Sequence, residues 1–194
     1  MFSLETQRLQ LHPFKDQDIK LINELHSDPE VTKLVGFPKP PSIQDNQDWL
    51  NKTLDAYEVD GLGQLAIYLK ETGEFIGRGG LRVVEIEKYP KEDLTKWFWY
   101  RGSAPKNIEV MHSTEIGYTF SAQHWGKGYA TEAVRALCQY AFTQNIDKTI
   151  VAVTFPENIA SIRVLEKSGF AKTGEIDGLD FEFLSFELKK EEIA

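Results

Sequence analysis

Polar and apolar residues alternate over residues 7–12, with Arg8, Gln10 and His12 interleaving Leu9 and Leu11, which is the period of a strand buried on one face. The spacing then becomes helical. Ile19, Ile22 and Leu25 share one side of a helix, with Asp16 as its expected cap and Ser27-Asp28-Pro29 as its end. Beyond the proline-rich stretch Phe37-Pro38-Lys39-Pro40-Pro41, Ser42 opens a second helical pattern through Trp49, Leu50, Leu54 and Tyr57, closed at Asp60-Gly61. Residues 63–70 and 74–86 then bracket Glu71-Thr72-Gly73, a hairpin turn signature. Inside the second of these strands, Gly77, Gly79 and Gly80 mark a bulge or a close backbone approach.

Residues 87–108 break the pattern with charged residues and Pro90, followed by Trp97-Phe98-Trp99-Tyr100. Such a long connection between two strands is an insertion, with three open readings: an extra strand on the core, a lid beside a substrate, or a dimer contact. Residues 109–120 resume as a strand. A loop with Gly126 and Gly128 follows, and Ala130, Val134, Leu137, Cys138, Ala141 and Phe142 recur at helical spacing after it. Residues 148–154 form a nearly continuous apolar strand, of the kind buried on both faces. A helix starts at Asn158 and stops at Gly169, and residues 170–176 and 181–188 form a closing hairpin about Asp177-Gly178. The order is mixed α/β, with the strand–helix–strand around the glycine loop as its parallel, right-handed part.

Composition narrows the function. The 194 residues, 41% of them hydrophobic, suffice for one buried core and lead us to expect a single domain over 1–194. Twenty-two Lys and Arg against 30 Asp and Glu give a net charge of −8, which argues against nucleic-acid binding and suits a cationic or amine partner. Cys138, the single cysteine, excludes an internal disulfide and any multi-cysteine zinc site, and its place on an apolar stripe makes it a core residue. No apolar run reaches the length of a membrane span, and no signal peptide is evident, so the expected location is the cytoplasm.

The loop Trp125-Gly126-Lys127-Gly128-Tyr129-Ala130-Thr131 opens a helix, where unpartnered N–H groups and the positive end of the dipole favour an anion. An ordinary glycine turn would read the same way. Position 131 holds Thr rather than the third glycine of a dinucleotide-binding fold, and Lys127 precedes a glycine rather than the Ser or Thr of a nucleotide triphosphatase loop.

Together, the order of elements, Trp125 to Ala130 and the stretch Asn158 to Phe170 resemble the GCN5-related N-acetyltransferase superfamily. Glu115-Ile-Gly-Tyr118, Trp125 and Asn158-x-x-Ser161 are most similar to its ribosomal-protein N-terminal acetyltransferase branch. The resemblance implies a mixed central sheet of about seven strands with a splayed parallel pair, flanked by about four helices. It implies acetyl transfer from acetyl-CoA to a primary amine, without a metal, in a monomer or homodimer. The cofactor's pyrophosphate would meet the amides of Gly126, Lys127, Gly128, Tyr129, Ala130 and Thr131, while Phe120 would pair with the pantetheine arm and Asn158 would reach the cofactor. Asn158 also suits a helix cap.

Two departures from the family stand out. Trp125 occupies a position usually held by Gln or Arg, and Leu165 stands where many members place a proton-donating Tyr. The donor would then be Ser161, and Glu115 the base, with Glu109 and Glu85 as substitutes. A CoA-binding module without catalysis is the competing reading, and an unrelated nucleotide-binding domain a third. Residues 35–41, the 87–108 insertion and the closing hairpin are expected around the acceptor, with Glu85, Glu109 and Asp180 attracting a cation.

Overall fold

The computed structural model describes residues 2–35, 39–87, 96–97, 99–100, 104–178 and 181–192. Short strands β1 (Leu4–Glu5) and β2 (Leu9–Pro13) precede helices α1 (Ile19–Ser27), α2 (Pro29–Thr32) and α3 (Ile43–Val59). Strands β3 (Gln64–Leu69), β4 (Phe75–Glu87), β5 (Lys96–Trp97), β6 (Trp99–Tyr100) and β7 (Val110–Phe120) follow. Then come α4 (Tyr129–Thr143), β8 (Thr149–Thr154), α5 (Ile159–Lys167), β9 (Ala171–Gly178) and β10 (Phe181–Lys189). Setting aside the two-residue strands β1, β5 and β6 and the four-residue α2, the described residues hold the seven strands and four helices expected from the sequence.

The chain forms two compact units, one of residues up to Arg82 plus Gly117–Leu137, the other of Val83–Ile116 and Cys138 onward. In the first, β1, β2, β3 and β4 run antiparallel, with Leu4 opposite Leu11, Leu11 opposite Ile67 and Gln64 opposite Gly80. The last residues of β7 lie against β4, where the Ser121 N–H donates to the Ile76 carbonyl at 3.0 Å. The expected close approach is present. A Cβ added at Gly80 would stand 2.0 Å from the Gly63 carbonyl oxygen, so β3 and β4 meet there only because position 80 has no side chain.

Helices α1 and α3 cover this sheet through Phe14, Ile22, Leu50 and Ala66, with Trp49, Leu54, Tyr68 and Phe75 packed around them. Ser42 caps α3 as expected. Its hydroxyl accepts from the Asp45 N–H while the Asp45 carboxylate accepts from the Ser42 N–H, a reciprocal pair that satisfies two orphan donors. Asp16, by contrast, begins a 3-10 turn (Asp16–Asp18), and α1 starts only at Ile19. Asp18 takes the anchoring role instead, its carboxylate accepting from the Lys15 N–H at 2.8 Å.

One polar residue lies deep in this core. His26 is 1% exposed, its Nδ1 2.8 Å from Asn46 Oδ1 and its ring edge-on to Trp49. Burial, then the nearby Arg78 charge, pushes its pKa down to about 4, against the opposing pull of the Asn46 hydrogen bond. Below pH 6.5 the unfolded chain takes up a proton that the folded one refuses until pH 4. Stability should therefore be complete above pH 6.5 and fall by about 3 kcal/mol as the pH drops to 4. Urea titrations across that range should show His26→Gln lacking this part of the slope; parallel curves for the two proteins would contradict it.

In the second unit β7 and β8 are parallel, with Thr114 opposite Ile150 and Glu115 opposite Val151, and both strands continue past these two rungs. This is the parallel pair expected around the glycine loop. Beyond β8, β10 and β9 run antiparallel, with Glu187 opposite Val151 and Glu182 opposite Asp177. The closing hairpin therefore extends further than the sequence indicated: Asp177 and Gly178 are strand residues, and the connection lies outside the described residues. From the 87–108 insertion, β5 adds to β9 in parallel and β6 adds to β4. Extra strands are thus what its described backbone forms; residues 88–95, 98 and 101–103, and the side chains of its aromatics, lie outside the described set.

Helix α4 buries Ala133, Val134, Leu137, Cys138, Ala141 and Phe142. Cys138 is a core residue, its thiol pushed up to about 12 by burial, far from the thiolate that a nucleophile requires. Helix α5 ends as predicted at Gly169 (φ +94°), where the Phe170 N–H donates to the Leu165 carbonyl and the Gly169 N–H to that of Glu166. Among the described residues no helix is long and apolar enough to cross a membrane.

Candidate active site

The end of β7 hands over to α4 through a 3-10 turn (Ala122–His124) and the glycine loop. Ser121 starts the turn, with its hydroxyl 2.7 Å from His124 Nδ1 and 3.3 Å from the Ile76 carbonyl. Trp125, the departure from the family's Gln or Arg, has a definite task. Its indole Nε1–H donates to the Phe120 carbonyl at 2.8 Å, tying the loop back to the strand end.

After Trp125, Gly126 (φ +74°) and Gly128 (φ +81°) both adopt the left-handed conformation, which other L residues reach at a cost of about 1–2 kcal/mol each. Two such residues around Lys127 turn the chain so that it enters α4 at Tyr129. Among the described residues nothing accepts a hydrogen bond from the amides of Gly126, Lys127, Gly128, Tyr129, Ala130 or Thr131, and the first α4 amide with a backbone partner is Glu132, bonded to the Gly128 carbonyl. Gly126, Lys127 and Gly128 are exposed. Consecutive free N–H groups at the positive end of a 15-residue helix can hold a phosphate.

The loop is also pinned by a segment that sequence reading left out of the site. Arg8, on the approach to β2, donates from Nη1 to the Lys127 carbonyl at 3.0 Å and from Nε to Glu132 Oε2 at 2.7 Å, with its guanidinium 4.6 Å from the centre of the Tyr129 ring. Glu132 also accepts from the Arg8 N–H and the Thr6 hydroxyl. Burial raises the Glu132 carboxyl, but these bonds together outweigh it and hold the pKa below its usual value. A carboxylate one turn from an anion site would repel the anion, and the Arg8 charge offsets it. The residues are 124 apart, so no local pattern could have paired them.

Three candidate residues lie in the other unit. Glu115 is 1% exposed on β7, opposite Val151. It is no ordinary exposed strand carboxylate, and an ionised group so buried requires polar partners. Asn158 caps α5, its Oδ1 accepting from the Ser161 N–H at 3.0 Å, so the two residues are in contact and both half-buried. Leu165, at the tyrosine position, is a 1% exposed core residue. Of the substitutes, Glu85 is committed to the 104 loop, accepting from the Ala104 N–H at 2.6 Å, and Glu109 is exposed; Asp180 lies outside the described residues. Among the described residues no cluster of three His, Cys, Asp or Glu could ligate a metal.

The whole chain is similar to known proteins. The chain is 32% identical over 174 residues, 90% of its length and 85% of the other, to the uncharacterized N-acetyltransferase p20 of Bacillus licheniformis. Its fold is similar to that of an acetyltransferase from Agrobacterium tumefaciens, at 26% identity and a TM-score of 0.74, covering 98% of this chain and 95% of that one. It is also similar to the ribosomal-protein-S5-alanine acetyltransferase of Vibrio fischeri, at a TM-score of 0.69 over the whole of both chains, where 17% identity speaks for the fold alone. Residues 8–171, from the pinning arginine to the start of β9, match the family model of the acetyltransferase (GNAT) domain, and the chain belongs to that family.

Proposed function

We propose that this protein transfers an acetyl group from acetyl-CoA to a primary amine, either a protein N-terminus or a small-molecule amine, by direct attack in a ternary complex. The observation that carries the reading is the run of free amides from Gly126 to Thr131, a cradle for the CoA pyrophosphate. Phe120 and its neighbours offer backbone groups to the pantetheine arm, and Asn158 reaches the cofactor while capping α5.

Glu115 takes the proton of the ammonium group through a water, freeing the nitrogen lone pair. That pair forms the C–N bond at the thioester carbon, and a backbone N–H between Ile116 and Tyr118 stabilises the oxygen as it becomes negative. When the C–S bond breaks, its electron pair leaves on sulfur and takes the Ser161 hydroxyl proton to complete free CoA, while the surplus proton on the newly bonded nitrogen returns through water to restore the Ser161 hydroxyl. The products are an acetamide and a thiol. The net charge of −8 favours cationic acceptors, and neither nucleic acid nor membrane enters the reaction.

A second reading, a CoA-binding module without turnover, is favoured by one feature, the buried Leu165 in place of a tyrosine. Incubation with acetyl-CoA and a panel of amines and peptides, with free thiol as readout, separates the two. Acceptor-dependent thiol release supports the enzyme. CoA binding without release on any acceptor supports the module.

A further inference from the structure

The polar seam around His26 continues to the strand that carries the reaction. Asn46 Nδ2 donates to Asn23 Oδ1 at 2.8 Å, and His26 Nδ1 meets Asn46 Oδ1. Arg78 Nε donates to His26 Nε2 at 3.3 Å, and its Nη1 to Gln64 Oε1 at 3.0 Å, with the guanidinium held 4.8 Å over the Trp49 ring. Gln64 Nε2 then donates to the Gly117 carbonyl at 3.4 Å. Asn46 and Gln64 are 3% and 8% exposed. All of these residues lie in one compact unit.

The direction of every bond follows from one residue. Arginine only donates, so the two atoms facing it must both accept. His26 therefore carries its proton on Nδ1 and gives it to Asn46, and Gln64 turns its oxygen to Arg78 and its NH2 to Gly117. The amide of Gln64 cannot flip without setting two donors face to face.

What this fixes is a peptide plane. A Cβ added at Gly79 would lie 3.6 Å from the Gly117 oxygen, so that carbonyl faces β4. In a planar trans peptide the next N–H, that of Tyr118, points the opposite way, out of the far edge of β7. Gly117 is two residues from Glu115. Pulling on the carbonyl also polarises the peptide and strengthens its N–H as a donor.

We propose that Gln64 and Arg78 are positioning residues for acetyl transfer, holding the Gly117–Tyr118 peptide so that the Tyr118 N–H meets the thioester oxygen in the transition state. The inference rests on the acetyl-transfer reading, and neither residue touches the reacting atoms. Gln64→Glu keeps the length and the oxygen facing Arg78 but replaces the donor with a second oxygen. Gln64→Met removes the donor without adding charge.

With acetyl-CoA and the acceptor found in the amine panel, both variants should lower kcat by about tenfold or more, less than the loss of a direct oxyanion donor. The KM for acetyl-CoA and the Kd of CoA should stay within about twofold. Arg78→Lys, which cannot grip both neighbours in one fork, should show the same split. Independently of turnover, the 15N–1H resonance of the Tyr118 amide should shift in all three. Variants with the parental kcat per folded molecule and an unmoved Tyr118 resonance would overturn the inference alone. A parent protein that neither binds CoA nor releases thiol would overturn the functional reading and this inference with it.

Discussion

Glu115→Gln should lower kcat for amine acetylation by about 100- to 10,000-fold, the usual worth of a positioned general base, while the KM for acetyl-CoA stays within about twofold. The substitution preserves shape and replaces a buried carboxylate with a neutral amide at a site only 1% exposed. Glutamine leaves no cavity but takes the charge away from the polar groups around it, so some stability should be lost, and kcat is compared per folded molecule. The pH profile adds a sharper criterion. Without the base only acceptor already deprotonated in solution can react, so kcat/KM of the variant should climb about tenfold per pH unit up to the acceptor's own pKa. The parent should level off earlier. If Glu115→Gln kept the parental kcat at neutral pH, the base would have to be sought elsewhere, with the exposed Glu109 as the next carboxylate to replace, since Glu85 is held by the Ala104 N–H.

The outcome at each position tracks how local its determinants are. The Ser42 cap, the Glu71-Thr72-Gly73 hairpin and the Gly169 stop were legible because each depends on residues within about one turn of one another. Trp125 was legible as an irregularity but not as a solution. Only the folded loop shows its indole N–H on the Phe120 carbonyl. At the closing hairpin a local signal was misleading. Asp-Gly is a strong turn dipeptide, yet pairing of Asp177 with Glu182 carries the strands through it, as tertiary contacts override propensity. The Arg8–Glu132 pin and the Asn23–Asn46–His26–Arg78–Gln64 seam were invisible. Their members come from separate strands and helices, and no periodicity marks a polar residue that will be buried beside another. The candidate site divides the same way: the glycine loop and the Asn158 cap are local motifs, whereas Arg8, which pins the loop, lies 119 residues from Lys127.

Gly128→Pro should weaken CoA binding by at least about 100-fold, measured by calorimetry or by displacement of a labelled CoA. Two effects act together. Proline removes one of the six free amides of the cradle, and each hydrogen bond from such an amide to a charged oxygen is worth about 1.5–3 kcal/mol. It also fixes φ near −65°, whereas Gly128 sits at +81°, so the neighbouring amides of Lys127 and Tyr129 must turn away from a common centre. Two lost bonds at that strength correspond to about 3–6 kcal/mol, or roughly 150-fold and upward in Kd. Helix α4 should survive, because proline is tolerated immediately before or at the first turn and the helix is held by its buried face from Ala133 to Phe142. Arg8→Ala supplies a graded comparison. It leaves all six amides in place but releases the Lys127 carbonyl and Glu132, so it should weaken binding by a smaller factor, about three- to tenfold. If Gly128→Pro left CoA affinity unchanged in a folded protein, the glycine loop would not be the pyrophosphate site, and the anion would have to be held elsewhere.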